Sequence, residues 1–260
     1  MISTDKEISD VKNQGANNGN IILYTCSLDR LRHKVHTLFE YLILEEQNYA
    51  KSYKTPELSE NYIISHSILR MILSIHSKMS VYEMKFILGE YGKPYISSNY
   101  QNIQFNMSHS KDMVCIVVTK DKEIGVDIEF KNSTLDVEEL QHLVLSVQEK
   151  MYMDTLSSQT AKQNLFYCIW TLKEAIIKAM GIGLSHPIIE INLIDDALQI
   201  KDVISLRQNG MYENLYLTLP ESIAFSSVNL AQEYSLAIAS RSQLKKIIHL
   251  DLNNLSNISL

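Results

Sequence analysis

Two short stretches constrain the fold of this chain more than anything else in it. Gly125-Val126-Asp127-Ile128-Glu129-Phe130 alternates polar and apolar side chains, the period of a half-buried β-strand. Leu165, Ile169, Leu172, Ile176 and Ala179 recur at helical spacing, and Gly181 and Gly183 stop the run. The strand turns Val126, Ile128 and Phe130 to a core and Asp127 and Glu129 away from it, their Cα atoms ~7 Å apart. On the helix, Trp170, Glu174 and Lys178 are each four residues apart and share one face.

Each stretch alone has an ordinary explanation. Alternation marks any antiparallel strand with one wet face, and a Glu-to-Lys pair four apart is a routine surface ion pair. Chemistry enters when they are taken together. Two close carboxylates resist ionising together unless a cation lies between them. Mg²⁺ suits them, because it takes one or two carboxylates plus phosphate oxygens. Trp170, the one tryptophan of the chain, is a poor fit to an all-solvent face.

Elsewhere the pattern predicts helices over 28–49, 58–77 and 135–156. It predicts strands over 21–26, 103–107, 113–119, 188–193, 212–219 and 234–239, with turns at Gly92-Lys93-Pro94 and Asp121-Lys122. Asn106-Met107-Ser108-His109-Ser110 then falls where one strand gives way to the next. Its hydroxyls, backbone N–H groups and imidazole suit a phosphate. Helices and antiparallel strands in mixed runs argue for α+β. The order strand, helices, strands occurs twice, so the chain divides into a flexible tail (1–20), an N-terminal lobe (21–123), a C-terminal lobe (124–245) and a C-terminal tail (246–260).

Composition narrows the partners. With 260 residues, 45% of them hydrophobic, the chain can bury a full core. A net charge of −6 offers no basic field to nucleic acid. Cys26, Cys115 and Cys168 have no paired spacing and read as buried thiols of a cytoplasmic protein. The first 20 residues lack the pattern of a signal peptide, and no apolar run approaches the ~20 residues of a membrane span. His33 and His36 lack partner ligands at metal-site spacing.

In order and spacing, Gly92-Lys93-Pro94, Phe105 to Ser110, Gly125 to Glu129 and Trp170 to Lys178 resemble the 4′-phosphopantetheinyl transferase superfamily, surfactin-synthetase-activating (Sfp) type. The resemblance runs from about Ile21 to Ala239. It implies two similar α/β lobes related by a pseudo-two-fold, with a ligand cleft between them. It implies an enzyme that moves 4′-phosphopantetheine from coenzyme A to a serine of an acyl or peptidyl carrier protein, with Mg²⁺, releasing adenosine 3′,5′-bisphosphate. The same fold without turnover would be a coenzyme A- or carrier-binding relative. By the resemblance Asp127, Glu129 and Glu174 hold the metal. Lys178 meets the phosphates, Ser108 and His109 hold the phosphates of coenzyme A, and Lys93 lies at the nucleotide end. The serine proton passes to Glu174, to Glu129 or to a water on the metal. Glu149 resembles a further family glutamate. The pseudo-two-fold allows a monomer, and the carrier is expected to dock on the segment between Phe130 and Leu165. One departure stands out. Where the family has an arginine at the start of the second helix, this chain has Glu60 or Asn61, with Lys51 and Lys54 nearby and Arg70 at a different position.

Overall fold

β1 (Ile21–Ser27) is buried along its whole length, so both of its faces must be covered. Ile22, Tyr24 and Cys26 point into one apolar cluster, and Ile21 and Leu23 into another. This computed structural model describes residues 20–97, 102–120, 122–183, 187–193, 217–218, 224–228, 233–241 and 247–253. The expected tail up to residue 19, Asp121 and most of the strand expected over 212–219 lie outside the described residues.

β1 is followed by α1 (Leu28–Leu31), a 3₁₀ turn (Arg32–Lys34), α2 (Val35–Phe39), α3 (Leu44–Lys51) and α4 (Pro56–Ser77). The single helix expected over 28–49 is thus broken. Gln47 reaches back from α3 and donates to the carbonyls of Phe39 and Leu42 at 3.3 and 3.0 Å, holding the break open. Those carbonyls have no helical partner once α2 ends. α4 begins two residues earlier than expected. Pro56 occupies its first turn, where the missing N–H costs nothing, and Thr55 Oγ1 accepts from the Leu58 N–H.

β2 (Phe86–Leu88) and β3 (Pro94–Ile96) form a small hairpin. β4 (Ile103–Ser110), β5 (Met113–Lys120) and β6 (Ile124–Phe130) follow, then α5 (Val137–Val144), α6 (Val147–Asp154) and α7 (Gln159–Met180). The helix expected over 135–156 is therefore two, because Ser146 caps a new start in a box with Glu149. Ile188–Glu190 is a 3₁₀ turn rather than part of a strand, and β7 (Leu217–Thr218), β8 (Ala224–Val228), β9 (Tyr234–Ser240) and β10 (Ile247–Asp251) complete the order. The C-terminal stretch expected as a tail corrects most sharply. β10 runs parallel to β1 and opens the first sheet, ordered β10-β1-β5-β4. Two apolar side chains, Leu250 and Leu252, fix it to the same core as β1.

The second sheet is ordered β6-β9-β8-β7. One face of the first sheet packs on α1, α2 and α4. Its other face, through Cys115 and Val117, meets Val126, Ile128, Leu236 and Ile238 of the second sheet. The far face of the second sheet, with Ala237 and Ala239, packs on the apolar stripe of α7. The layers run helices, sheet, sheet, helix, which is a mixed α+β architecture. All three cysteines are buried thiols. No helix among the described residues is long and apolar enough to cross a membrane.

Candidate active site

The alternation of β6 works as its sequence demands: Val126 and Ile128 enter the core between the sheets, and Gly125, Asp127 and Glu129 face the side of α7. Gly125 sets how close α7 comes. A Cβ there would lie 2.1 Å from the Ala175 carbonyl oxygen and 2.4 Å from the Ala179 nitrogen. Only a residue without a side chain lets helix and strand meet backbone to backbone. That approach brings Lys178 over Asp127. Lys178 Nζ donates to Asp127 Oδ1 at 2.6 Å and to Ser108 Oγ at 3.0 Å, and Ser108 Oγ donates to the same Oδ1 at 2.8 Å.

Ser108 comes from β4, which lies beside β6 without a ladder between them. Side chains supply the bonds instead. The Val126 N–H donates to Asn106 Oδ1 at 3.0 Å, and the Phe130 N–H to Ser110 Oγ at 3.0 Å, while Ser110 Oγ donates to Glu129 Oε2 at 2.9 Å. Asn106, Ser108 and Ser110 thus form one polar row at period two. The motif lies within β4 and not between strands; the turn follows at Lys111, whose φ is +54°. His109 alternates to the other face, toward α4. It is open to solvent, and loss of hydration over part of the ring and then the Lys178 charge lower its pKa.

The acids are under electrostatic stress. Burial raises the Asp127 pKa against the pull of Lys178. Burial and then Asp127 push Glu129 up to about 7, with Glu174 adding to it. Burial and then Asp127 also raise Glu174. Asp127 Oδ2 is buried with no hydrogen-bond partner. A buried carboxylate oxygen left bare, beside two half-buried acids that repel it, fits a cation as its missing partner. Mg²⁺, an oxygen-seeking ion, matches this donor set. Among the described residues no three His, Cys, Asp or Glu side chains are already gathered as a metal cage. Lys178 covers the other oxygen of Asp127 instead.

Lys93, Trp170 and Glu149 each have their own surroundings. Lys93 does not reach this cluster; it is buried, and its Nζ donates to the carbonyls of Ile124 at 3.0 Å and Ala179 at 3.2 Å. Burial lowers it to about 8. Trp170 is half-buried and stacks on Tyr167, ring centroids 6.0 Å apart, beside Phe166, so it seals the edge of the α7 core. Glu149 is fully buried and forms an ion pair with Lys173 at 2.6 Å. Sequence reasoning misses the partnership with Lys173, although the spacing holds the signal: Lys173 occupies a core position of the 169, 172, 176 stripe, where a lysine requires an acid.

Near the entry to α4 both arginines have acidic partners. Arg32 pairs with Asp29 at 2.8 Å and Glu60 at 3.0 Å. Arg70 is buried against Glu46 and donates to the carbonyls of Val81 and Met84. Around Asn61 stand aromatic groups, with Tyr62 stacked on His66 at 3.8 Å and in contact with Tyr49 and Tyr53.

The second sheet, α7 and the turns between them carry a recognisable sequence signature. Residues 123–239 match the model of the 4′-phosphopantetheinyl transferase superfamily. 4′-Phosphopantetheinyl transferase HetI of a Nostoc species is 28% identical over 165 residues, 63% of this chain and 69% of that protein. The 4′-phosphopantetheinyl transferase ffp of Bacillus subtilis is 29% identical, covering 64% of this chain and 73% of its own. Sfp of Bacillus subtilis is 28% identical over 55% of this chain and 62% of its own. That match lies within one part of the chain, from β6 to β9 with its flanks, and there the chain is similar to the 4′-phosphopantetheinyl transferase superfamily.

Proposed function

We propose that this protein transfers 4′-phosphopantetheine from coenzyme A to the serine hydroxyl of an acyl or peptidyl carrier protein, releasing adenosine 3′,5′-bisphosphate. The observation that carries the reading is the cluster of Lys178, Ser108 and Asp127, with its bare buried oxygen, between strands β4 and β6. On this reading each sheet with its helices is one lobe, coenzyme A lies in a cleft where the two meet, and the chain acts as a cytoplasmic monomer on carriers of peptide or polyketide synthesis. Incubating an apo carrier with the protein, coenzyme A and Mg²⁺ tests this. The carrier gains the mass of one phosphopantetheine; coenzyme A binding without that gain would leave a non-catalytic relative.

The residues divide the work. Asp127, Glu129 and Glu174 would hold Mg²⁺, which offsets charge on the pyrophosphate when bound. Lys178 stands where a cation can stabilise the leaving phosphate oxygen, and its bonds to Ser108 and Asp127 fix its direction. Glu174 or Glu129 would accept the proton of the attacking serine. His109, exposed on the opposite face of β4 from Ser108, would have to meet a phosphate from that side.

A pH dependence follows from these raised acids. Glu129 is raised above its unfolded value, so the stability it contributes is complete below about 4.5 and is lost as pH climbs through about 7. A cation needs the ionised form and reverses that loss. Without Mg²⁺ the melting temperature falls between pH 5 and 8, and saturating Mg²⁺ flattens the slope. Mg²⁺ affinity by calorimetry rises about tenfold per pH unit over the lower part of that window. An affinity independent of pH would remove Glu129 from the site.

On this reading the carrier docks on α5 and α6, which join β6 to α7. Leu143, Val147 and Met151 are 56%, 71% and 66% exposed, an apolar group on the segment between the two acid-bearing elements. Met151→Glu raises KM for the carrier by about tenfold, roughly 1.4 kcal/mol, and leaves KM for coenzyme A unchanged. Equal shifts in both would place the carrier elsewhere.

A further inference from the structure

We propose that Lys93 is a positioning residue that fixes the separation of Asp127 from Lys178, and not a side chain that grips coenzyme A. The inference rests on the transferase reading above. Its grounds are the two carbonyls that Lys93 holds. Ile124 precedes Gly125 and stands three residues before Asp127; Ala179 follows Lys178 directly. One ammonium at 3.0 and 3.2 Å from those two oxygens ties the start of β6 to the last turn of α7.

The junction is built for this from three sides. The Ala179 carbonyl is among the last four of α7, which have no partner within the helix. The helix closes at Gly181, whose φ is +66° and whose N–H donates to Ile177 at 2.9 Å, leaving Ala179 to another donor. A cation is favoured at that end by the helix dipole. Lys93 is delivered by a tight turn: the Gly89 N–H donates to the Lys93 carbonyl at 2.8 Å, and the Gly92 N–H to Gly89 at 2.9 Å. The turn is then seated on the helix end. A Cβ on Gly183 would lie 2.8 Å from Tyr91 Cβ, and one on Gly181 would lie 3.2 Å from the Tyr95 hydroxyl and 3.5 Å from Lys93 Cδ. With the Gly125 contact beside it on the same helical turn, the last turn of α7 is held against the start of β6. Lys178 is thereby set over Asp127 within hydrogen-bond distance. A side chain 8% exposed, with its ammonium between two carbonyls and an aromatic ring, has little left to offer a phosphate.

Lys93→Met keeps the stem and deletes the charge. Expected is a fall in kcat of tenfold or more, with the dissociation constant for coenzyme A within twofold of the parent. Amide hydrogen exchange should also quicken, confined to the last turn of α7 and the start of β6. A tenfold weaker coenzyme A affinity with kcat within twofold would overturn the proposal. If Lys93→Met does not fold, Lys93→Arg decides. It keeps a cation for a phosphate but is longer and planar, so it cannot set one nitrogen between the two carbonyls, and kcat still falls. Full kcat in Lys93→Arg overturns the proposal. The exchange measurement needs no turnover, so a parent protein without transferase activity would sink the functional reading and still test the junction.

Discussion

Asp127→Asn lowers phosphopantetheine transfer by about three orders of magnitude, roughly 4 kcal/mol of transition-state stabilisation, and leaves the protein folded. The amide has nearly the shape of the carboxylate, and its oxygen can still accept from Ser108 Oγ and Lys178 Nζ. What it lacks is the charge on which the bare, buried Oδ2 and its neighbours Glu129 and Glu174 converge. Intact-mass measurement of a carrier incubated with coenzyme A and Mg²⁺ reads the loss.

The same substitution has an opposite signature in stability. Burial raises the Asp127 pKa, so the ionised side chain works against the fold. The stability this group contributes is present below its unfolded pKa and is lost as pH rises through the folded value. The neutral amide carries no such penalty. Without added metal, the variant at pH 8 therefore melts at or above the temperature of the parent, and the gap closes on acidification. A variant that loses activity because it melts far below the parent would show that Asp127 is structural, and the site reading would fail with it.

The parts of the molecule that could be read from sequence are those whose order is local. β6 and α7 each carry a single clean period and a stop; β6 folds over the span expected, and α7 ends at Met180 as expected but begins at Gln159, six residues before Leu165, where Ser158 caps it. Their apolar stripe, from Leu165 to Ala179, is buried throughout. At about 1.5–3 kcal/mol for each large side chain, that burial leaves little freedom in how the helix turns its faces. Asp127 and Glu129 consequently face α7. The break between α2 and α3 was not legible, because it depends on Gln47 reaching back to carbonyls five and eight residues away. β10 was not legible either, since it pairs in parallel with a strand at the other end of the chain, and no local period encodes a partner that distant. Around the candidate site the same division holds. Residue types and spacing indicated Asp127, Glu129, Glu174, Lys178 and Ser108. They did not indicate that Asn106, Ser108 and Ser110 replace a ladder between β4 and β6. They also hid the role of Lys93, because a lysine on a glycine-proline turn has the sequence of a surface cation whether it ends in water or between two buried carbonyls.

Lys173→Met is expected to destabilise the protein by about 3–5 kcal/mol, the range for removing one partner of a buried ion pair, which is roughly 10 °C in melting temperature for a chain of this size. Lys173 and Glu149 are both fully buried, 2.6 Å apart. Lys173 also donates to the Val144 carbonyl at 2.6 Å. The other Glu149 oxygen accepts from the Leu193 N–H at 2.9 Å, and the Ser146 N–H donates to the paired one at 2.8 Å. One carboxylate thus fastens the starts of α6 and the segment after Ile188 to α7. Taking away the ammonium leaves it charged and dry. Adding Glu149→Gln to Lys173→Met should recover about half the loss, because the amide oxygen still serves one N–H and no charge is left buried. Lys178→Met, five residues along the same helix, should behave differently: it leaves the buried Asp127 without its cation, so stability falls at pH 8 and recovers on acidification as Asp127 takes up a proton, with transfer abolished. Urea unfolding of the three variants separates the two lysines. If Lys173→Met unfolds at the parent's midpoint, α6 is not anchored through Glu149, and the apolar group at Leu143, Val147 and Met151 loses the support that would hold it still for a carrier.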